Sequence, residues 1–360
     1  MKILLISYGD IGFDGRLRSL INVFSQMGEV YAFSRGSVPL NEISKICNLP
    51  YTKFIGEAIR FAKKIDKIDW LVLDNRKATI PGLLIKKKYK PNIVIQDCRE
   101  LYLINEVKHL TGKIGCVFEK MMVKRSDIVI CANQERCEIM QREYKLDKTP
   151  ISYENLRKLE FESDEALGLA KKKLDPFIIE DEIRILSSSG CSIKRTNDVL
   201  VRNLNKVQEK CRLFLVGDST SDEKQAIESI VEEMKVDNVE ILGRLNQTEL
   251  KYLISHCHIG IVNYGQYDTN NRLCASGKLY EFLYEGIPVV TTTNPPLKRI
   301  CETYNVGVCD DEYYNGINTV LGDYDSYILA IKKYTENFTV EMNDDKLIKD
   351  INVRISRAVN

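Results

Sequence analysis

The chain has 360 residues, 44% of them hydrophobic and 29% charged, and a formal net charge of +1. That length exceeds what one core sustains, so two domains are expected, and the near-neutral charge excludes wholesale nucleic-acid binding. The eleven cysteines are odd in number, scattered and without a CxxC pair, which fits buried thiols in a reducing cytoplasm better than a disulfide framework or a zinc site.

The apolar run in MKILLISYGD is too short for a signal peptide, and no later segment approaches the length of a membrane span, so a cytoplasmic protein is expected. Lys2–Ser7, Val30–Ser34, Trp70–Asn75, Asn92–Asp97 and Asp127–Ala132 read as short β-rich strands. Between the first two, Leu17, Leu20, Ile21 and Phe24 recur at helical spacing. The first half is therefore expected to form one doubly wound domain. Arg157–Asp181 reads as charged and poor in structure, with the hinge near Glu160–Asp181. A second set of strands follows at Arg184–Ser188, Arg212–Gly217, Val239–Gly243, Ile259–Tyr264, Pro288–Thr292 and Gly307–Cys309. The expected class is α/β, two Rossmann-like doubly wound domains facing a cleft, over residues 1–165 and 166–325. The helical tail, 326–360, is long enough for a return to the first domain.

Ligands of such sheets bind outside the carboxyl ends of the strands, so the residues after each strand carry the functional signal. After the first strand, Tyr8–Arg16 is glycine-rich but is not GxGxxG, and the second strand ends in Ser34-Arg35 without an acidic partner for a ribose. A dinucleotide oxidoreductase is disfavoured. Gly12 and Gly15 would let the backbone approach a ligand, with Arg16 opening the next helix; a tight turn with a solvated arginine is the alternative. Arg99 and Glu100, after the fourth strand, are expected at the cleft or in a structural ion pair.

In the second half, Ser188-Ser189-Gly190 runs into Lys194 and Arg195, a small-residue turn followed by two cations that suits a diphosphate. Gly217 and Gly243 close further strands and allow close approach of a flat group such as a base. His256-Cys257-His258 is compact, but adjacent side chains diverge, so a structural role is expected. Within Asn271–Val290, the turn Ala275-Ser276-Gly277 opens a short helix that Gly286 and Pro288 terminate. Uncovered helix amides and Lys278 suit phosphate, and Glu281 lies one turn on; a solvated Lys278–Glu281 pair is the alternative.

These segments together resemble the GT-B glycosyltransferases, in particular the large retaining group 1 or family 4. The likeness is strongest over Val239–Val290 and extends to DCRELYL, FEKMMVKRSDIVICANQ and DGRLRSLINVF. The resemblance implies a nucleoside diphosphate sugar as donor substrate, no further cofactor and no required metal, and retention of configuration. Lys194 or Arg195 would hold the diphosphate, and Leu245 would lie against the base. Ser276, Gly277, Lys278 and Leu279 would surround phosphate and sugar, while Glu281 would accept the ribose hydroxyls. Gly190, Gly217 and Gly243 complete the donor set, Gly12, Gly15 and Arg16 face the acceptor, and Arg99, Glu100, Lys194 and Lys278 are the catalytic candidates. The sequence departs from the family at Leu273, where the first glutamate of the Glu-x7-Glu signature would fall, and near Cys191, where an arginine is usual.

The implied acceptor is a glycan or a lipid-linked saccharide in bacterial-type surface polysaccharide or glycoconjugate assembly. Residues 51–90 carry eleven Lys/Arg against four Asp/Glu, a local net of +7. Leu83-Leu84-Ile85 followed by Lys86-Lys87-Lys88 would suit peripheral contact with an anionic membrane at its inner face, or a solvated helix face. A sugar-nucleotide epimerase and a non-catalytic glycosyltransferase-like partner subunit remain the alternatives.

Overall fold

The structure, a computed structural model, describes residues 1–359, with side chains through Ser356. The chain divides into two compact units: Met1–Asn155 with Asp268–Asn270 and Glu341–Asn360, and Leu156–Tyr267 with Asn271–Val340. Each is built on one wholly parallel sheet.

In the first unit the strands are β1 (Lys2–Asp10), β2 (Glu29–Arg35), β3 (Lys45–Ile46), β4 (Trp70–Asp74), β5 (Ile93–Cys98), β6 (Ile128–Cys131) and β7 (Ile151–Ser152). Their order is β3-β2-β1-β4-β5-β6-β7. Helices α1 (Gly15–Ser25), α2 (Tyr51–Ala62), α3 (Thr79–Tyr89), α4 (Leu110–Val123) and α5 (Gln134–Tyr144) connect them. A parallel sheet is covered on both faces, which is why β1 reads as an unbroken apolar run. Ile3 and Leu5 enter one core with Leu17, Leu20 and Phe24 of α1; Leu4 and Ile6 enter the other with Phe54, Ala58 and Phe61 of α2.

The second unit contains α6 (Asp164–Leu174), β8 (Ile183–Ser187), α7 (Asn197–Asn203), β9 (Cys211–Val216), α8 (Ser221–Met234), β10 (Val239–Gly243), α9 (Gln247–Ile254) and β11 (Ile259–Val262). The short α10 (Thr269–Arg272), α11 (Gly277–Tyr284), β12 (Val289–Thr291), α12 (Pro295–Tyr304), β13 (Gly307–Cys309), α13 (Tyr314–Gly322) and α14 (Tyr324–Asn337) follow. The strand order is β10-β9-β8-β11-β12-β13. Leu213 and Leu215 of β9 face one core, Phe214 and Val216 the other.

All eleven strands expected from the sequence are present; β3 and β7, two residues each, fall below what alternation reveals. The passage read as poor in structure holds α6. Its charges are sorted for a helix: Ser163 Oγ accepts from Ala166 N at 3.1 Å, Asp164 and Glu165 occupy the first turn and Lys171–Lys173 the last. The division after Asn155 precedes the boundary read at 165, because Leu159 already packs in the second core. The tail is shared: α14 lies in the second unit with Ile331 and Tyr334 in its core, and α15 (Val340–Val359) lies in the first, with Leu347 and Ile351 against α1. Of Leu83-Leu84-Ile85, Ile85 is buried, Leu83 half-buried and Leu84 exposed.

Glycine is demanded at Gly260 of β11 by space, since an added Cβ would lie 2.3 Å from the ring of Phe282 on α11. That contact sets how closely α11 rides on the sheet. Gly260→Ala is expected to destabilise the protein by about 1–3 kcal/mol in chemical denaturation, as overpacking does, with partial recovery in Gly260→Ala/Phe282→Leu. Equal stability of Gly260→Ala and the parent would refute the packing argument.

Candidate active site

In both units a cluster of charged side chains stands at the carboxyl ends of the strands. In the first, Arg16 at the start of α1 donates from Nε and Nη2 to the two oxygens of Asp97 on β5, at 3.0 and 2.6 Å, and from Nη1 to the Tyr153 carbonyl at 2.9 Å. Both side chains are buried. The guanidinium also lies 5.0 Å from the Tyr153 ring centroid. Arg16 is thus committed inside the unit rather than presented to an acceptor, a correction to the sequence reading. Gly12 and Gly15 shape the turn ahead of it: Gly12 N donates to Asp10 Oδ1 at 2.9 Å, and Gly15 begins α1 behind the N-cap Asp14.

Arg99, just past β5, bridges Asp14 at 2.6 Å and Asp74 at 2.9 Å. Burial pushes the Asp74 carboxyl up to about 6 although Arg99 opposes the shift. Ser7 Oγ donates to Asp74 Oδ2 at 2.5 Å, while Asp74 Oδ1 is buried without a partner. Glu100 accepts from Asn75 Nδ2 at 3.1 Å. Arg99 and Glu100 line one cavity of about 250 Å³ with Tyr8, Gly9, Arg35, Asp74, Asn75, Arg76 and Lys77. Asp14 and Asp74 were missed as site residues; their signals were an N-cap aspartate before a helical pattern and a carboxylate ending an apolar strand.

In the second unit the turn after β8 is held by a buried polar network. Asn263, after β11, donates from Nδ2 to Asn197 Oδ1 at 2.7 Å, and Asn197 donates to Ser189 Oγ at 2.9 Å and to the Gly190 carbonyl at 2.7 Å. Gly190 adopts φ +61° and Gly217 φ +133°, and a Cβ on Gly217 would stand 3.0 Å from Gly190 N. These glycines serve the mutual approach of two strand ends. The Gly243 carbonyl at the end of β10 accepts a hydrogen bond from Gly217 N at 2.7 Å. Leu245 and Leu279 are core residues.

Against this turn stands α11. Lys278 Nζ donates to the Ser188 carbonyl and, among the described residues, makes no ion pair. Burial, with the nearby Arg195 guanidinium, lowers its ammonium to about 8, against the pull of Glu281. Glu281 is buried and paired with Arg157 Nε at 3.1 Å; burial raises its carboxyl while Arg157 and Lys278 resist. Arg195 stacks on Tyr264, its guanidinium carbon 3.7 Å from the ring centroid. Lys194 is exposed, so the structure separates the two candidate cations: Arg195 belongs to the cluster. The hydroxyls of Ser188 and Ser276 are buried without partners. Arg157 was missed because its passage carried no recognisable element. Leu273 is buried and apolar, so no carboxylate stands there. Three cations thus converge with one carboxylate, around unpartnered hydroxyls and the first amides of α11. That set is suited to a multiply charged anion carrying hydroxyls.

The cluster His256-Cys257-His258 is structural. His258 Nδ1 accepts from Arg184 N at 2.9 Å, and Cys257 is buried; among the described residues no group of three His, Cys, Asp or Glu is arranged for a metal.

No protein-family model and no curated protein sequence matches this chain. Solved structures do. Sucrose-phosphate synthase from Thermosynechococcus elongatus is similar at 16% identity and a TM-score of 0.71, covering 99% of this chain and 100% of that one. HepE from Anabaena, solved with UDP and glucose, is similar at 14% identity and a TM-score of 0.73, covering 98% and 100%. The fold is GT-B. UDP-GlcNAc 2-epimerase from Neisseria meningitidis, bound to UDP-GlcNAc, follows at 13% identity and a TM-score of 0.58 over 99% and 100%.

If Arg16 holds the first unit together, its removal strands a buried carboxylate. Arg16→Met is expected to cost about 3–5 kcal/mol in urea unfolding, the range for breaking a buried pair, and Arg16→Met/Asp97→Asn to recover part of it. A stable Arg16→Met variant would return the residue to the list of ligand-binding candidates.

Proposed function

We propose that the chain is a glycosyltransferase that takes a sugar from a nucleoside diphosphate sugar held in its second unit. The observation that carries this reading is the Lys278 ammonium, desolvated and without a carboxylate in ion-pair contact beside two guanidinium groups. Isolated buried charge is costly, and a diphosphate answers it. The similarity to HepE solved with UDP supports the same ligand class. Lys278, Arg195 and the amides of Gly277 and Lys278 hold the diphosphate; Arg157 and Glu281 read hydroxyls beside it. As the bond to the sugar breaks, charge grows on the diphosphate oxygens, and these cations stabilise it without moving. In this reading configuration is retained and the donor diphosphate itself receives the acceptor proton, so no protein base is assigned. The acceptor is a saccharide, free or lipid-linked, and the setting is cytoplasmic glycoconjugate assembly.

UDP is the first probe. Its affinity is expected to be level between about pH 7 and 8, where the terminal phosphate of UDP is ionised and Lys278 is protonated before and after binding. Above about pH 8 the free lysine loses its proton, and affinity falls by up to about tenfold per pH unit. Isothermal titration should show proton uptake on binding near pH 8. Lys278→Met is expected to weaken UDP by about tenfold or more at pH 7 and to remove the pH dependence. If no nucleotide or nucleotide sugar binds, the transferase reading fails; sugar isomerisation without an acceptor would favour the epimerase, and donor binding without turnover in the presence of acceptors the non-catalytic subunit.

For membrane contact, α4 offers a longer exposed apolar face than α3, where Leu84 alone of Leu83-Leu84-Ile85 is exposed. Leu110, Ile114 and Val117 are 72%, 45% and 50% exposed along one face of α4, with Lys113 and Lys120 beside them. Apolar side chains flanked by lysines suit the interface of an anionic bilayer. Flotation with phosphatidylglycerol vesicles at low salt should recover the protein, and Leu110→Ser/Ile114→Ser should abolish recovery; no flotation of the parent chain removes this part of the reading.

A further inference from the structure

The cavity at the strand ends of the first unit has two chemically different walls. On one, Tyr8 is fixed edge-on by Tyr51 and Phe54, with ring centroids 5.4 and 4.9 Å away. Two cations lie against this one ring: the Arg35 guanidinium carbon at 5.0 Å from its centroid and Lys77 Nζ at 4.5 Å. Neither makes an ion pair among the described residues, and Arg35 Nε is buried without any partner. On the other wall are Asp74, whose Oδ1 is buried and unpartnered, and Glu100.

The remaining cations of the cavity are spoken for. Arg99 is shared between Asp14 and Asp74, and Arg76 donates to Cys116 Sγ at 3.3 Å while lying 4.7 Å from the Tyr102 ring centroid. Arg35 and Lys77 are different. The ring quadrupole attracts each of them, but neither charge is answered by a carboxylate among the described residues, and an oxyanion entering the cavity would gain a charge-assisted hydrogen bond from whichever of them it reached. The carboxylates among the lining residues accept hydrogen bonds, which hydroxyl groups supply. The volume, about 250 Å³, suits one small ring and its substituent.

We propose that this cavity binds a saccharide bearing an oxyanion, a phosphate monoester or a carboxylate, with Arg35 and Lys77 on the anion and Asp74 and Glu100 on the hydroxyls. Within the transferase reading this saccharide is the acceptor. The cavity itself is argued from the first unit alone, so its test is independent of donor binding.

Glucose 6-phosphate, glucuronate, glucose and inorganic phosphate are titrated into the full chain by isothermal calorimetry, with and without saturating UDP. The two anionic sugars should bind at least about tenfold more tightly than glucose or phosphate alone, since each charge-assisted bond supports a factor of that order. Arg35→Gln and Lys77→Gln should each remove about tenfold of that affinity, while Lys278→Met leaves it unchanged. Lys77 is exposed, so its variant folds even if Arg35→Gln does not. The proposal is overturned if glucose binds as tightly as its phosphate, or if inorganic phosphate alone accounts for the affinity. It is equally overturned if Lys77→Gln binds as the parent does, or if the binding disappears in Lys278→Met. Anionic sugar binding without any UDP binding would sustain the cavity and sink the donor assignment, whereas the reverse would sink only the cavity.

Discussion

Charge taken out of water must be answered within hydrogen-bonding distance, and the two units meet this constraint in opposite ways. Arg16 and Asp97 neutralise each other bidentately, and Arg99 is met by both Asp14 and Asp74. In the second unit Lys278 has only a backbone carbonyl, and Arg195 has a tyrosine ring and a distant carbonyl. Parallel topology explains why all these groups gather at strand ends: the strands themselves are sealed on both faces, and only their termini can host polar side chains. Paired charges of this kind hold the fold, and the polar groups left without partners beside them are the ligand-binding candidates.

The balanced set in the first unit also fixes distant chain segments. Tyr153, whose carbonyl takes the third bond of Arg16, donates its hydroxyl to Asp344 of α15 at 2.6 Å, and Asn22 of α1 reaches the same carboxylate at 3.3 Å. One buried network therefore ties α1, β5, the residue after β7 and α15.

The strand pattern was legible because fully buried parallel strands leave continuous apolar runs, and the capped helix before Gly286 was legible because its stop signal is local. In the structure Gly286 takes φ +77°, with Gly286 N bonded to Leu283 O and Ile287 N to Phe282 O, the two bonds of a Schellman motif. What escaped was either very short or long-range. The two-residue strands β3 and β7 have no period to read. Helix α6 has few apolar residues, and its evidence lay in the sorting of its charges. Arg16 and Asp97 are 81 residues apart in sequence, so no local spacing could separate a cleft-facing arginine from a buried one. Arg195 and Lys194 are neighbours in sequence, and only the ring of Tyr264 distinguishes them. On α11, by contrast, the three-residue spacing of Lys278 and Glu281 was visible, but burial, which decides whether such a pair is ornamental, was not.

Burial acts on that pair in opposite senses, lowering Lys278 and raising Glu281, so that each moves toward its neutral form. A solvated i, i+3 pair would show neither shift. Arg157, 3.1 Å from Glu281, opposes the upward shift of that carboxyl, whereas Lys278 has no carboxylate in ion-pair contact among the described residues. In the proposed function a diphosphate would answer the Lys278 charge, and Arg157 and Glu281 would face the hydroxyls beside it. Leu273 adds a limit to what this site can read. It is buried and apolar where the resemblance to the GT-B family led to an expected glutamate, so in the proposed function α11 would read the charged and hydroxylated part of the donor, and discrimination among sugars would come from other residues.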